Sequence, residues 1–281
     1  MSSEEEDDWS WTVAPAIPRD DGSVVVKVLA YDGESPTSYV YEHADVQAPP
    51  ANDYEVEAWL SDLWMAPNGT LFAPGEEGRL HIRTKSRWTL SQSPTEALLT
   101  AAWAPDDHTC YVASERAVLR WSNGQWTTTI EGLAQTPDVI RGSADGTRLF
   151  VAGRAGSLLQ YDGRKWAHEK VPTHVDLNGL CVTGVVYAVG DDGVIVRGVP
   201  GHWELLASGT EDLQDVVELG GAIHVASGEG GVSRLVDGAL QTTLESAALR
   251  LRTSSRFLCA AGATAFHRFD GQAWQTRQYK L

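Results

Sequence analysis

Short apolar stretches alternate with polar turns along almost the whole chain, and no window sustains apolar positions at helical spacing. Leu149-Phe150-Val151-Ala152-Gly153, Val186-Tyr187-Ala188-Val189-Gly190 and Gly193-Val194-Ile195-Val196-Arg197 show the pattern: a few β-branched, aromatic or small residues between Asp-Gly, Asn-Gly or Gly-Gly pairs. Those pairs accept the positive φ of tight hairpin turns, so each stretch reads as a strand and adjacent stretches as hairpins. The longest apolar runs, Val24-Val25-Val26 and Gly184-Val185-Val186-Tyr187, fall far short of the roughly 20 residues of a membrane-spanning helix.

A repeat organises the strands. Trp88, Trp126, Trp166, Trp203 and Trp274 recur with a period of about 37–40 residues, with Leu240 near the vacant position in the last double interval. Each unit has an acidic start, an apolar stretch, a turn, a strand ending near Gly, a second turn, a third strand, and a turn before Trp. Four short strands per unit of this length match a propeller blade, where radial repetition leaves only short, protected edges. Six units open near Asp62, Ala101, Asp138, Asp176, Asp212 and Ala248 and fill residues 61–281.

Residues 9–60 supply four further strands, Trp11–Ala14, Ser23–Leu29, Ser38–Tyr41 and Tyr54–Trp59, and read as a degenerate first blade in the same domain. Residues 1–8 read as an acidic disordered tail. The expectation is an all-β chain forming a β-propeller of seven four-stranded blades; a linker at Pro49-Pro50 leaves six blades plus an N-terminal extension as the alternative. The recurring tryptophans are expected to pack between blades, because a ring buries large side chains where neighbours meet. A repeated Asp at the unit openings is expected to bond backbone amides of its loop.

The pattern Asp-Leu followed by Tyr-x-Val-Gly-x-x-Gly-x-Ile and Asp-Gly-x-x-Trp, clearest over Asp176–Trp203 and Asp138–Trp166, resembles a bacterial WD40/YVTN-like, BNR-like propeller class that includes photosystem II assembly factors. The resemblance covers roughly residues 61–281. It implies a non-catalytic platform that binds other proteins, often during assembly.

Catalytic patterns are sparse. Cys110, Cys181 and Cys259 form no CxxC pair and suit buried strand thiols. The eight histidines include no HxH or HExxH; His168 and His174 are not read as ligands, and His81, His224 and His267 lie in expected strands, so neither metal nor cofactor is expected. Gly228-Glu229-Gly230-Gly231 and Gly190-Asp191-Asp192-Gly193 precede strands and carry carboxylates, so they read as turns and not phosphate cradles. Ser143-Ala144-Asp145-Gly146-Thr147 echoes the Asp box of sialidases but reads as a hairpin turn. A carbohydrate-active, sialidase- or glycosidase-like enzyme stays open as an alternative, since several blades can surround one central pocket; the preferred reading is not an enzyme.

Charge sharpens the partner class. With 22 Lys and Arg against 38 Asp and Glu the formal charge is −16, which repels nucleic acid and anionic membrane surfaces. The acidic start lacks the basic and then apolar signature of a secretory signal, so a cytoplasmic monomer is expected. On a propeller the turns joining second and third strands share a face with the blade-to-blade loops. That face collects Glu76, Glu77, Glu115, Asp191, Asp192 and Glu229, against Arg116 and Arg154, while charges on the opposite face nearly cancel. The sequence therefore points to a protein that binds a cationic protein partner through these six residues, as an immunity protein neutralising a toxin would. An assembly or scaffold factor is the rival reading.

Overall fold

In the computed structural model, described over residues 10–85 and 87–279, the chain forms seven four-stranded antiparallel sheets, each a simple meander of consecutive strands. The first blade is β1 (Ser10–Pro18), β2 (Val24–Tyr31), β3 (Pro36–His43) and β4 (Ala51–Val56). The second is β5 (Trp64–Met65), β6 (Leu71–Pro74), β7 (Arg79–Thr84) and β8 (Arg87–Gln92), and the third β9 (Leu99–Trp103), β10 (Thr109–Ser114), β11 (Ala117–Ser122) and β12 (Gln125–Glu131). The fourth comprises β13 (Pro137–Gly142), β14 (Leu149–Gly153), β15 (Leu158–Tyr161) and β16 (Trp166–His168). The fifth holds β17 (Leu177–Val182), β18 (Val186–Gly190), β19 (Ile195–Val199) and β20 (His202–Ala207). The sixth holds β21 (Asp215–Leu219), β22 (Ala222–Ala226), β23 (Val232–Val236) and β24 (Ala239–Leu244), and the seventh β25 (Arg250–Thr253), β26 (Leu258–Gly262), β27 (Ala265–Phe269) and β28 (Trp274–Gln278). Seven blades, not six, make the ring. The acidic stretch 1–8 lies outside the described residues.

The core is divided among the seams. Seven buried clusters each straddle one blade-to-blade boundary, including Val26, Val28, Cys259 and Phe266 where the last blade meets the first. Second strands are covered on both faces by neighbouring blades, and so β14 and β26 are buried at every residue. Outermost strands meet water and alternate, as in the mostly exposed β8 and β20. The ring closes by packing of β1 on β25 and β26, with Val13 N–H donating to Ala263 O at 2.7 Å.

The repeated tryptophans lie near the start of the fourth strands and reach the preceding blade. Trp88 stacks on Tyr54 with ring centroids 4.3 Å apart and donates Nε1–H to Asp53 at 2.9 Å. Trp126 donates to Ser91 at 3.0 Å, and Trp203 to Glu169 at 2.8 Å. Each bond pins an outer strand to its neighbour, which an aliphatic residue in that place could not do.

Candidate functional site

The turns between second and third strands are laced to the loops that lead into the next blade, which puts both sets on one face. Gly209 N–H donates to Asp192 O, Gly156 N–H to Val175 O, and Arg116 Nε to Leu133 O. Four of these turns carry the acidic residues expected there. Glu76 and Glu77 sit in a short 3-10 turn before β7, Glu115 between β10 and β11, Asp191 and Asp192 between β18 and β19, and Glu229 between β22 and β23. Glu77, Glu115, Asp192 and Glu229 are exposed, while Glu76 and Asp191 are half-buried.

Two of the six are partly engaged within the chain. Glu77 pairs with Arg79 at 2.5 Å, and Asp191 accepts a hydrogen bond from Asn178 Nδ2 at 2.8 Å. Glu77 and Asp192 also hold φ of 53°, the left-handed conformation that the tight turn demands. The first blade adds Asp32 and Glu34 in its own exposed turn, residues that the repeat did not align because that blade is degenerate. The fourth blade interrupts the arc with exposed Arg154.

The aspartates at the unit openings separate into distinct positions. Asp176 accepts from Ala155 N–H at 2.8 Å and Asp212 from Asp192 N–H at 3.1 Å, so each fastens its loop to the left-handed residue of the preceding turn. That matches the amide-bonding role expected for them. Asp62 differs, because it stands deeper and its structural counterpart is Asp215, three residues beyond Asp212. Each accepts the next residue's amide, Leu63 and Val216, at 2.8 and 2.9 Å. Each also accepts an amide from the inner strand of the following blade, Ala102 at 3.4 Å and Leu251 at 3.0 Å. Asp138 is pushed upward in pKa, mainly by burial.

Asp62 and Asp215 are drawn together by Arg252, which donates to Asp62 at 2.7 Å and to Asp215 at 3.1 Å. All three are buried, at 6%, 1% and 5% exposure, and their bridge spans the axis from the second and sixth blades to the seventh. Burial works to raise the Asp62 pKa, but Arg252, Arg141 and Arg250 outweigh it and hold the carboxyl below its ordinary value. Beside the bridge, Lys27 Nζ donates to Leu60 O at 2.8 Å, and burial pulls that ammonium down to about 8. No motif along the chain marks this bridge, because its members come from three different repeats and belong to no spaced pattern.

Other reactive groups are quenched. Burial raises all three free thiols, Cys181 to about 12, so they are protonated at neutral pH. Burial likewise lowers His81 to about 4 and depresses His224 and His267, whose rings are neutral in their sheets. Among the described residues no group of three or more His, Cys, Asp or Glu could hold a metal ion. The Ser143–Thr147 segment is a hairpin turn, with Asp145 accepting from Ser143 Oγ at 2.5 Å and Thr147 N–H at 3.0 Å. No helix of the described residues is long and apolar enough to cross a membrane.

Solved structures share this ring. A chain of a mitotic checkpoint complex superposes with a TM-score of 0.71 at 14% identity, covering 94% of this chain and 86% of that one. A chain from the structure of YCF48 bound to D1 peptide gives 0.61 at 15% identity, covering 78% and 80%. The fold, a seven-bladed β-propeller, is what these structures share with the chain. No family model matches this propeller. Among curated proteins it is 32% identical over 135 residues to Immune protein Tsi7 of Pseudomonas aeruginosa, a match taking in 45% of this chain and 44% of that protein. The matched part thus spans less than half the length of the relative.

Proposed function

We propose that this propeller binds another protein with a basic surface and neutralises it, as an immunity protein acts on a toxin. The observation that carries the reading is the 32% identity to Immune protein Tsi7. The acidic turns support it: Glu76, Glu77, Glu115, Asp191, Asp192 and Glu229 share one face of a chain with a formal charge of −16. Such a face speeds encounter with a cationic partner and disfavours acidic ones. In this reading the protein works in the cytoplasm as a monomer, without cofactor, nucleic acid or membrane.

The test is protection. The protein captured by this chain from its native cells is expressed in a bacterial host alone, with the wild type, and with a variant carrying Glu77→Lys, Glu115→Lys, Asp192→Lys and Glu229→Lys. These four are exposed, so reversal spares the core, and a thermal melt checks that the variant folds. Growth arrest by the partner alone, relieved by wild type and not by the variant, is the expected result, with binding that weakens steeply as salt rises. A partner harmless on its own sinks the immunity reading and favours a scaffold. Relief that survives charge reversal sinks the acidic face.

A further inference from the structure

The face opposite the acidic turns opens into a funnel that the reading above does not use. A mouth of about 770 Å³ adjoins an inner cavity of about 230 Å³, and Trp64, Met65 and Trp103 line both. The Trp103 ring lies on bare backbone at Gly142, where a Cβ would fall 2.4 Å from it. Leu180, Val182 and Leu251 add apolar wall to the inner cavity. At its floor the guanidiniums of Arg141 and Arg252 lie 5.0 and 5.7 Å from the centroid of the Trp64 ring.

The two arginines are not equivalent. Arg252 is matched by both Asp62 and Asp215. Arg141 is 8% exposed, donates Nη1–H to its neighbour's carbonyl at Ile140 (2.7 Å), and makes no direct ion pair among the described residues, although Asp215 and Asp62 lie near enough to favour its charge from a distance. The Nε of Arg252 is also buried without an acceptor. Buried charge is ordinarily paired, because its desolvation is repaid only by a counter-charge and well-placed hydrogen bonds. Burial lowers Arg141 only to about 10, which leaves it cationic at neutral pH.

We propose that the inner funnel binds a small organic monocarboxylate, with its carboxylate on the Arg141 guanidinium and a flat apolar body against Trp64 and Trp103. A carboxylate fits the fork of a guanidinium, and aromatic walls favour a body with a π-face. Glu218 lines the same cavity and opposes a second negative charge, so a monoanion is preferred to a dianion. The site is independent of the acidic turns, on the other face of the ring.

The probe is benzoate, titrated calorimetrically into the full chain beside its neutral isostere benzamide and the dianion phthalate. Benzoate is expected to bind at least tenfold more tightly than either, since a charge-assisted hydrogen bond to a buried cation is worth that factor or more. Arg141→Gln should bring benzoate down to the level of benzamide, and Arg141→Lys should restore part of the difference. Should Arg141→Gln fail to fold, the wild-type ratio of benzoate to benzamide decides, and Trp103→Leu should weaken both ligands alike. Equal binding of benzoate and benzamide overturns the proposal, as does benzoate affinity unchanged in a folded Arg141→Gln, or no benzoate binding up to about 10 mM. Charge reversal of Glu77, Glu115, Asp192 and Glu229 should leave benzoate binding intact, so failure of either proposal is visible without the other.

Discussion

Arg252→Leu is the sharpest perturbation of this ring. The substitution keeps apolar bulk in the channel but leaves Asp62 and Asp215, 6% and 1% exposed, without the cation that bridges them. Deleting one partner of a buried ion pair costs about 3–5 kcal/mol, because the orphaned charge stays desolvated. In a domain of this size each kcal/mol lowers Tm by roughly 2–4 °C, so the variant should melt roughly 6–20 °C below wild type at pH 8. Differential scanning calorimetry reads that directly.

The pH dependence supplies the second arm. In the wild type Asp62 is held below its ordinary value, so its contribution is complete above the unfolded pKa near 3.8 and is lost only as pH falls below that through the folded value. From pH 8 to 5 that contribution is constant. Without Arg252, only Arg141, Arg250 and the Leu63 amide oppose burial, and the folded pKa is expected to rise above the unfolded one. The folded variant then takes up protons first, and its stability climbs as pH drops, so the gap to wild type narrows between pH 8 and 5. Adding Asp62→Asn and Asp215→Asn removes both charges but keeps an acceptor for only one of the two backbone amides at each site, and should recover part of the loss. A Tm within about 2 °C of wild type, or a gap that stays constant with pH, would refute the picture of a desolvated bridge.

Three further outcomes can be measured. Burial holds His81 near 4, below its unfolded value of 6.5, so the stability it contributes is full above pH 6.5 and is lost as pH falls from 6.5 toward 4; His81→Gln should show a flatter Tm profile over that window. All three thiols are buried and raised in pKa, so a chromogenic disulfide reagent should titrate none of them in the folded chain and all three after denaturation; fast reaction of a native thiol would contradict the packing of its strand. Asp176→Ala removes the acceptor for Ala155 N–H, an exposed left-handed residue, and should cost about 1 kcal/mol in urea titration, with Asp212→Ala similar through Asp192 N–H; no change in either would mean that water replaces these fasteners fully.

The strands, the turns, the blade repeat and the acidic character of the second-to-third-strand turns are all legible along the chain. These properties are local: alternation sets which residues face a neighbour, Gly and Asp set where the chain reverses, and a fixed period repeats the unit. Even the side of the ring follows, because a meander of four strands must return each turn to a known face. How residues meet across the axis is set by closure of the ring. Asp62 and Asp212 both open repeats, yet one binds an arginine in the channel and the other a backbone amide at the rim. The Asp62–Arg252 contact joins positions 190 residues apart, and no pattern along the chain encodes it. Closing seven blades into a ring brings the second and seventh within one channel, and there the low dielectric converts ordinary charged residues into a bridge, while Arg141 is left without a direct ion pair.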